Sequence, residues 1–146
     1  MTLTSLKDVL ADQIGDLQSA EGQLVEALPK MADAATDHSL RAAFMHHLEE
    51  TREHARRLDQ VSAMFDAPVP AEACEAMRGL IREGEKVIAE PGDGTARDAA
   101  LIAAAQRVEH YEIAAYGSAR ALAKELGLGD IARALGETLE EEAAAD

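Results

Sequence analysis

An all-α fold is what the sequence predicts, on three observations. Alanine, leucine, glutamate and arginine dominate the 146 residues while aromatics amount to 3%, a composition that suits helices. Apolar residues recur at spacings of three and four along most of the chain, the period of an amphipathic helix. Three of the four prolines and two glycines fall in residues 66–70 (DAPVP) and 91–94 (PGDG), where they separate one helical pattern from the next.

The first helix is expected to open at Thr4 or Ser5, whose hydroxyl can cap the free N–H groups, and to end near Pro29. Its apolar line is Leu10, Ile14, Leu17, then Glu21, then Leu24 and Leu28, so one carboxylate interrupts a regular stripe. The second helix opens at Thr36, Asp37 or Ser39 and runs to about Phe65, with Leu40, Ala43, Phe44, His47, Glu50, His54, Leu58, Val61 and Phe65 in line. Here three titratable groups take the place of the core, and Glu50 and His54 are one turn apart, close enough to reach a common point. A shorter pattern over residues 71–90 carries Cys74, Met77, Leu80, Ile81, Val87 and Ile88 on one side and no acid in its stripe. The third long helix spans about Thr95 to Leu126, with Ile102, Ala105, Glu109, Glu112, Tyr116 and Ala119 in line. The last pattern starts near Asp130, runs Ile131, Leu135, Leu139, Glu142 and Asp146, and stops in mid-helix, which reads as a shortened terminus.

The interruptions repeat. Gln18-Ser-Ala-Glu21 parallels Gln106-Arg-Val-Glu109, and Glu50 with His54 parallels Glu142 with Asp146. The chain therefore reads as a single domain over residues 1–146: a hairpin over 4–65, a crossover helix over 71–90 and a second hairpin over 95–146. Two antiparallel hairpins joined by a crossover make a ferritin-like four-helix bundle, the class that builds a two-metal site from carboxylates and histidines facing its core. A buried carboxylate without a partner costs several kcal/mol in practice, roughly, so a cation is the expected compensation. Oxygen-rich ligation with one imidazole suits iron or manganese, with zinc as a possible substitute. The expected ligands are Glu21, Glu50, His54, Glu109, Glu142 and Asp146. Glu112 is a ligand, an outer partner or the mate of a nearby cation, and His47 is an outer partner or a satisfied core histidine. Glu141 competes with Glu142 if the helix phase is off by one. Tyr116, seven residues after Glu109, is expected to donate a hydrogen bond into the site or else to be plain core. His46 and His110 are read as surface groups.

The formal net charge of -14 argues against nucleic acid and against an anionic membrane surface as partner. The longest apolar run, residues 99–105, is too short to span a bilayer, and the N-terminus lacks a signal peptide's basic start and apolar core. One cysteine, Cys74, has no intramolecular mate, which points to a reducing, cytoplasmic setting. It is read as packing of the crossover helix or as a subunit contact.

The stretches SAEGQLVEALPKMA, FMHHLEETREHARRL, CEAMRGLIREGE, AALIAAAQRVEHYEIAAYG and ETLEEEAAAD together resemble the YciE/YciF family over essentially the whole chain. That family is a ferritin-like group described as a domain of unknown function and similar in fold to rubrerythrins and manganese catalases. The resemblance implies a homodimer, a link to stress responses and, position by position, Glu21, Glu50, His54, Glu109, Glu142 and Asp146 as ligands. Two features depart from better-characterised ferritin-like enzymes: the paired ligands are four apart rather than three, and the second pair has Asp in place of His. The expected function is a non-haem di-metal protein reacting with peroxide or oxygen, an inference by analogy because fold does not fix chemistry. The alternatives are metal sequestration without turnover and a metal-free helical interaction module.

Overall fold

The computed structural model describes residues 2–145, and these form five α-helices with no strand among them: α1 Leu6–Ala34, α2 His38–Met64, α3 Glu75–Ala89, α4 Gly94–Glu125 and α5 Gly129–Ala145. Four of the five starts follow from a side chain that accepts from an otherwise unpaired backbone N–H. Ser5 caps α1, Asp37 caps α2 and Asp93 caps α4, and the thiol of Cys74 does the same for α3. The α4–α5 turn relies on Gly127, whose φ of +72° lets the Leu128 N–H reach back 2.8 Å to the Ala123 carbonyl and the Gly127 N–H reach 3.0 Å to that of Lys124. That is the Schellman stop, and a residue with a Cβ would be strained there.

Helix α1 packs along α2 and α4 along α5, and the hairpins join through α1 against α4 and α2 against α5. Helix α3 lies outside, on α1 and α4. The all-α class and the bundle of two hairpins plus an added helix are therefore as predicted. The α1–α2 turn is tied to the first turns of α4 by Asp98. Its carboxylate accepts from Thr36 N–H (2.8 Å), Thr36 hydroxyl (2.7 Å) and Asp37 N–H (2.9 Å), and these bonds hold its pKa below the usual value.

Three expectations need correction. Helix α1 does not end near Pro29 but continues to Ala34. An internal proline costs about 3 kcal/mol, yet Met31, Ala32 and Ala35 beyond it are buried, and their packing outweighs the lost hydrogen bond. Helix α3 starts at Glu75 rather than near Ala71, because Cys74 is its cap. In the first half of α4 the buried line is Leu101, Ala104 and Val108, whereas Ile102 is 46% exposed. The ALIAAA stretch is apolar all round, so its pattern fixes no phase, and only Glu109, Glu112 and Tyr116 further on do.

The core is in two parts. One cluster joins Leu10, Ile14 and Leu17 to Leu58, Val61, Tyr116 and Leu135. The other joins Ala20, Leu24 and Leu28 to Phe44, Leu48, Leu101 and Val108. Along α1, α2 and α4 the boundary between them falls where the sequence places its charges, and α5, which joins only the first cluster, brings Glu142 to the same level of this polar layer.

Gly15 is a packing requirement that periodicity did not reveal. A Cβ there would lie 2.3 Å from the Pro70 carbonyl oxygen, where the α2–α3 connection crosses α1. Gly15→Ala is expected to destabilise the protein by about 1–3 kcal/mol, the range for forced overpacking, as measured by urea unfolding. An unchanged midpoint would show that the connection yields freely.

Candidate metal centre

The polar layer brings together one side chain from each bundle helix: Glu21 of α1, His54 of α2, Glu112 of α4 and Glu142 of α5. One ligand-type atom from each lies within 4.8 Å of all the others, and all four residues are buried, at 0–1% exposure. The local reason is helical phase. Glu21 sits between Leu17 and Leu24, and Glu112 precedes Tyr116 by one turn; His54 precedes Leu58 by one turn, and Glu142 follows Leu135 by two. Each polar group therefore occupies a core position in its own helix.

Histidine 54 is held from both sides. Its Nε2 is 2.9 Å from Glu141 Oε2, and a carboxylate only accepts, so Nε2 carries the proton. Glu141 is itself fixed by Arg57, which donates from Nη2 to Glu141 Oε1 at 3.0 Å and from Nη1 to the Thr138 hydroxyl at 2.7 Å. The other ring nitrogen, Nδ1, then faces the cluster, 3.1 Å from Glu142 Oε1 and 3.8 Å from Glu21 Oε2. A carboxylate on the remote nitrogen is the arrangement that orients ligating histidines and raises their basicity. On the opposite side the Tyr116 hydroxyl donates to Glu21 Oε1 at 3.2 Å.

The electrostatics fit a cation. Burial, followed by the neighbouring carboxylates, pushes the Glu112 carboxyl well above its usual value, and burial also raises that of Glu21. For His54 burial works against the charged form, but Glu142, Glu21 and Glu141 together raise its pKa. Glu21 Oε2, His54 Nδ1 and both oxygens of Glu112 and of Glu142 are buried without a hydrogen bond of ordinary geometry. Buried polar atoms without partners are rare in a native interior, and here the four residues that carry them each bring one ligand atom to the same place. Carboxylate oxygens with one imidazole nitrogen are the donors that hard or borderline divalent ions take.

The remaining expected site residues take several positions. Glu109 is 7% exposed, with its Oε1 3.7 Å from His47 Nδ1, and stands beside the four-residue group rather than in it. His47 is also buried, and its Nε2 lies 4.0 Å from Glu142 Oε1. Burial, the largest influence on this ring, lowers its pKa. Glu50 is not brought into the group. Its side chain is 26% exposed and pairs with His46 Nε2 at 2.7 Å. Asp146 lies outside the described residues. Glu112, left open by the sequence, is inside the group, and Tyr116 makes the hydrogen bond expected of it. His46 and His110 are exposed. Sequence reasoning missed the roles of Arg57 and Thr138, which no periodicity marks. It also missed a second link, in which Tyr111 donates to Asp16 at 2.5 Å and lies 3.2 Å from the Cys74 sulfur, joining α1, α3 and α4.

The raised carboxyl of Glu112 has a consequence for stability. The folded metal-free protein keeps a proton that the unfolded chain releases above the ordinary value of 4.5. Folding stability therefore loses nothing below that pH and declines as pH rises through and beyond it. Glu112→Gln removes the ionisation while keeping the shape. It is expected to raise the melting temperature of the metal-free protein by several degrees at pH 8, with the gain shrinking towards pH 4.5. A gain that does not change with pH would contradict this origin.

Comparison with known proteins agrees with the architecture. A family model described as domain of unknown function DUF892 matches residues 5–146. The chain is 46% identical over 147 residues to Protein YciF of Escherichia coli strain K12, covering 100% of this chain and 89% of that one. The crystal structure of the E. coli stress protein YciF superposes with a TM-score of 0.96, covering 99% of this chain and 91% of that one at 46% identity. The protein YcfI of Rhodopseudomonas palustris superposes with a TM-score of 0.93 at 43% identity, covering 98% and 91%. The chain belongs to the DUF892 family, the YciF-type group that its motifs resemble.

Proposed function

We propose that this protein holds a pair of iron or manganese ions in the polar layer and reacts there with peroxide or dioxygen. The observation that carries the reading is the group of buried, converging donor atoms on Glu21, His54, Glu112 and Glu142. Room for a second ion is supported by Glu142, whose Oε1 faces His54 Nδ1 at 3.1 Å and His47 Nε2 at 4.0 Å. In this reading Glu109 and His47 complete the far side of the layer, and Asp146 is the further ligand that the sequence offers. When bound, such a pair supplies reversible two-electron exchange with the oxidant.

The chain's own residues do the rest. Glu141, braced by Arg57, keeps the proton on His54 Nε2 and leaves Nδ1 for a ligand. The Tyr116 hydroxyl fixes one oxygen of Glu21. Glu21, His54, Glu112 and Glu142 are buried between the two apolar clusters, and the low polarity there strengthens each electrostatic interaction among them. The protein would act as a homodimer in the cytoplasm. No helix among the described residues is long and apolar enough to cross a membrane.

A second reading, metal binding without turnover, rests on the same donor atoms and is separated by assay. Protein loaded with iron or with manganese is expected to consume hydrogen peroxide, and Tyr116→Phe to slow consumption about ten-fold or more, the lower range for loss of an outer-shell partner. Full loading with no consumption of peroxide or dioxygen would leave sequestration as the function.

A further inference from the structure

An open cleft of about 480 Å³ runs between α2 and α4 beside the last turns of α5. Apolar side chains, Phe44 and Ile102 among them, form its walls, and His46, Glu50, His47 and Glu109 stand along it. These four groups form a graded series. The His46 and Glu50 side chains at the rim are 76% and 26% exposed and 2.7 Å apart. Further in, His47 and Glu109 are 8% and 10% exposed and 3.7 Å apart. The next step, from His47 Nε2 to Glu142 Oε1, is 4.0 Å, and Glu142 belongs to the buried group. His47 is 7% exposed as a residue, lines the cleft, and has an Nε2 without a hydrogen-bond partner. A buried imidazole nitrogen left unsatisfied next to a solvent-connected cleft is positioned for a transient ligand.

We propose that this cleft is the route by which divalent cations reach the metal centre, received at His46 and Glu50 and passed inward by His47 and Glu109. The inference rests on the metal-binding reading above. Each stage offers one imidazole nitrogen and one carboxylate oxygen, the mixed donor set that borderline ions such as Fe²⁺, Mn²⁺, Co²⁺ and Zn²⁺ accept. The net charge of -14 draws cations to the surface, and a cleft with acidic groups and apolar walls concentrates that attraction. The rim pair and the inner pair line the same cleft, and from His47 the gaps of 3.7 Å to Glu109 and 4.0 Å to Glu142 let an ion engage the next donor before leaving the last. The assignment also gives Glu50 a place: it receives the ion at the rim and is not a resident ligand.

The test is stopped-flow uptake of Co²⁺ by the metal-free full-length chain, with final stoichiometry measured separately by elemental analysis. Two variants probe the route independently: His46→Ala/Glu50→Ala removes the rim donors, and Ala43→Phe narrows the cleft without touching a charge. Circular dichroism first establishes that each is folded. Both are expected to take up cobalt about ten-fold more slowly or worse, the lower range for lost electrostatic focusing, while reaching the wild-type stoichiometry. Wild-type rates in both variants would overturn the route. A lower final stoichiometry in His46→Ala/Glu50→Ala would also overturn it, by making Glu50 or His46 a resident ligand. Failure of the wild type to bind cobalt at all would instead overturn the metal-binding reading on which the route depends.

Discussion

The structure depends on one constraint: carboxylates taken out of water need a compensating charge. Glu21, Glu112 and Glu142 are withdrawn from solvent at one level of the bundle with a single histidine among them. Three carboxylates around one imidazole cannot all be ionised in such a place unaided. Either protons stay on, as the raised carboxyls of Glu112 and Glu21 indicate for the metal-free chain, or cations come in. The two states differ in what they ask of the fold. Protons let neighbouring carboxyls such as Glu21 and Glu112 share a hydrogen bond, whereas cations would use the converging lone pairs of all four residues.

The rest of the molecule serves to hold that layer in place. One apolar cluster grips all four bundle helices on one side of it, and the other joins α1, α2 and α4 with the outer helix α3 on the far side. Asp98 fastens the α1–α2 turn to α4, and the Schellman turn at Gly127 sets α5 against α4. Glu141 and Arg57 then join α5 to α2 beside the cluster itself. Because α2 and α5 come from different hairpins, this last bridge ties the geometry of His54 to the docking of one hairpin on the other.

Much of this was legible in the sequence, for a physical reason. A charge that falls on an apolar stripe of period 3.6 is conspicuous, and Glu21, His54, Glu112 and Glu142 all do so. Where the sequence misled, the stripe was poorly defined. On α2 the buried line is His47, Thr51, His54 and Leu58. Glu50 precedes His54 by four residues and so stands about 40° off its direction on an ideal helix, enough to leave it at the edge. HLEETREH is so rich in charges that no apolar neighbours fix its phase. Glu109 and Glu112 share one face of α4, and only the packing of the helices puts Glu112 in the group and Glu109 beside it. Glu141 was visible only as a rival to Glu142. Its part, bonded to His54 from the adjacent direction, needs the partner helix to be seen.

Anomalous diffraction from crystals grown with manganese would show whether cations occupy the polar layer. Data collected on either side of the manganese absorption edge locate the metal without relying on activity. A strong difference peak is expected within coordination distance of Glu21, His54 Nδ1, Glu112 and Glu142, and a second beside Glu142 towards His47 and Glu109. A polar layer with no anomalous signal at saturating manganese, its carboxyls joined by hydrogen bonds to one another, would contradict cation occupancy. The buried acids would then be a protonated structural layer and not a metal centre.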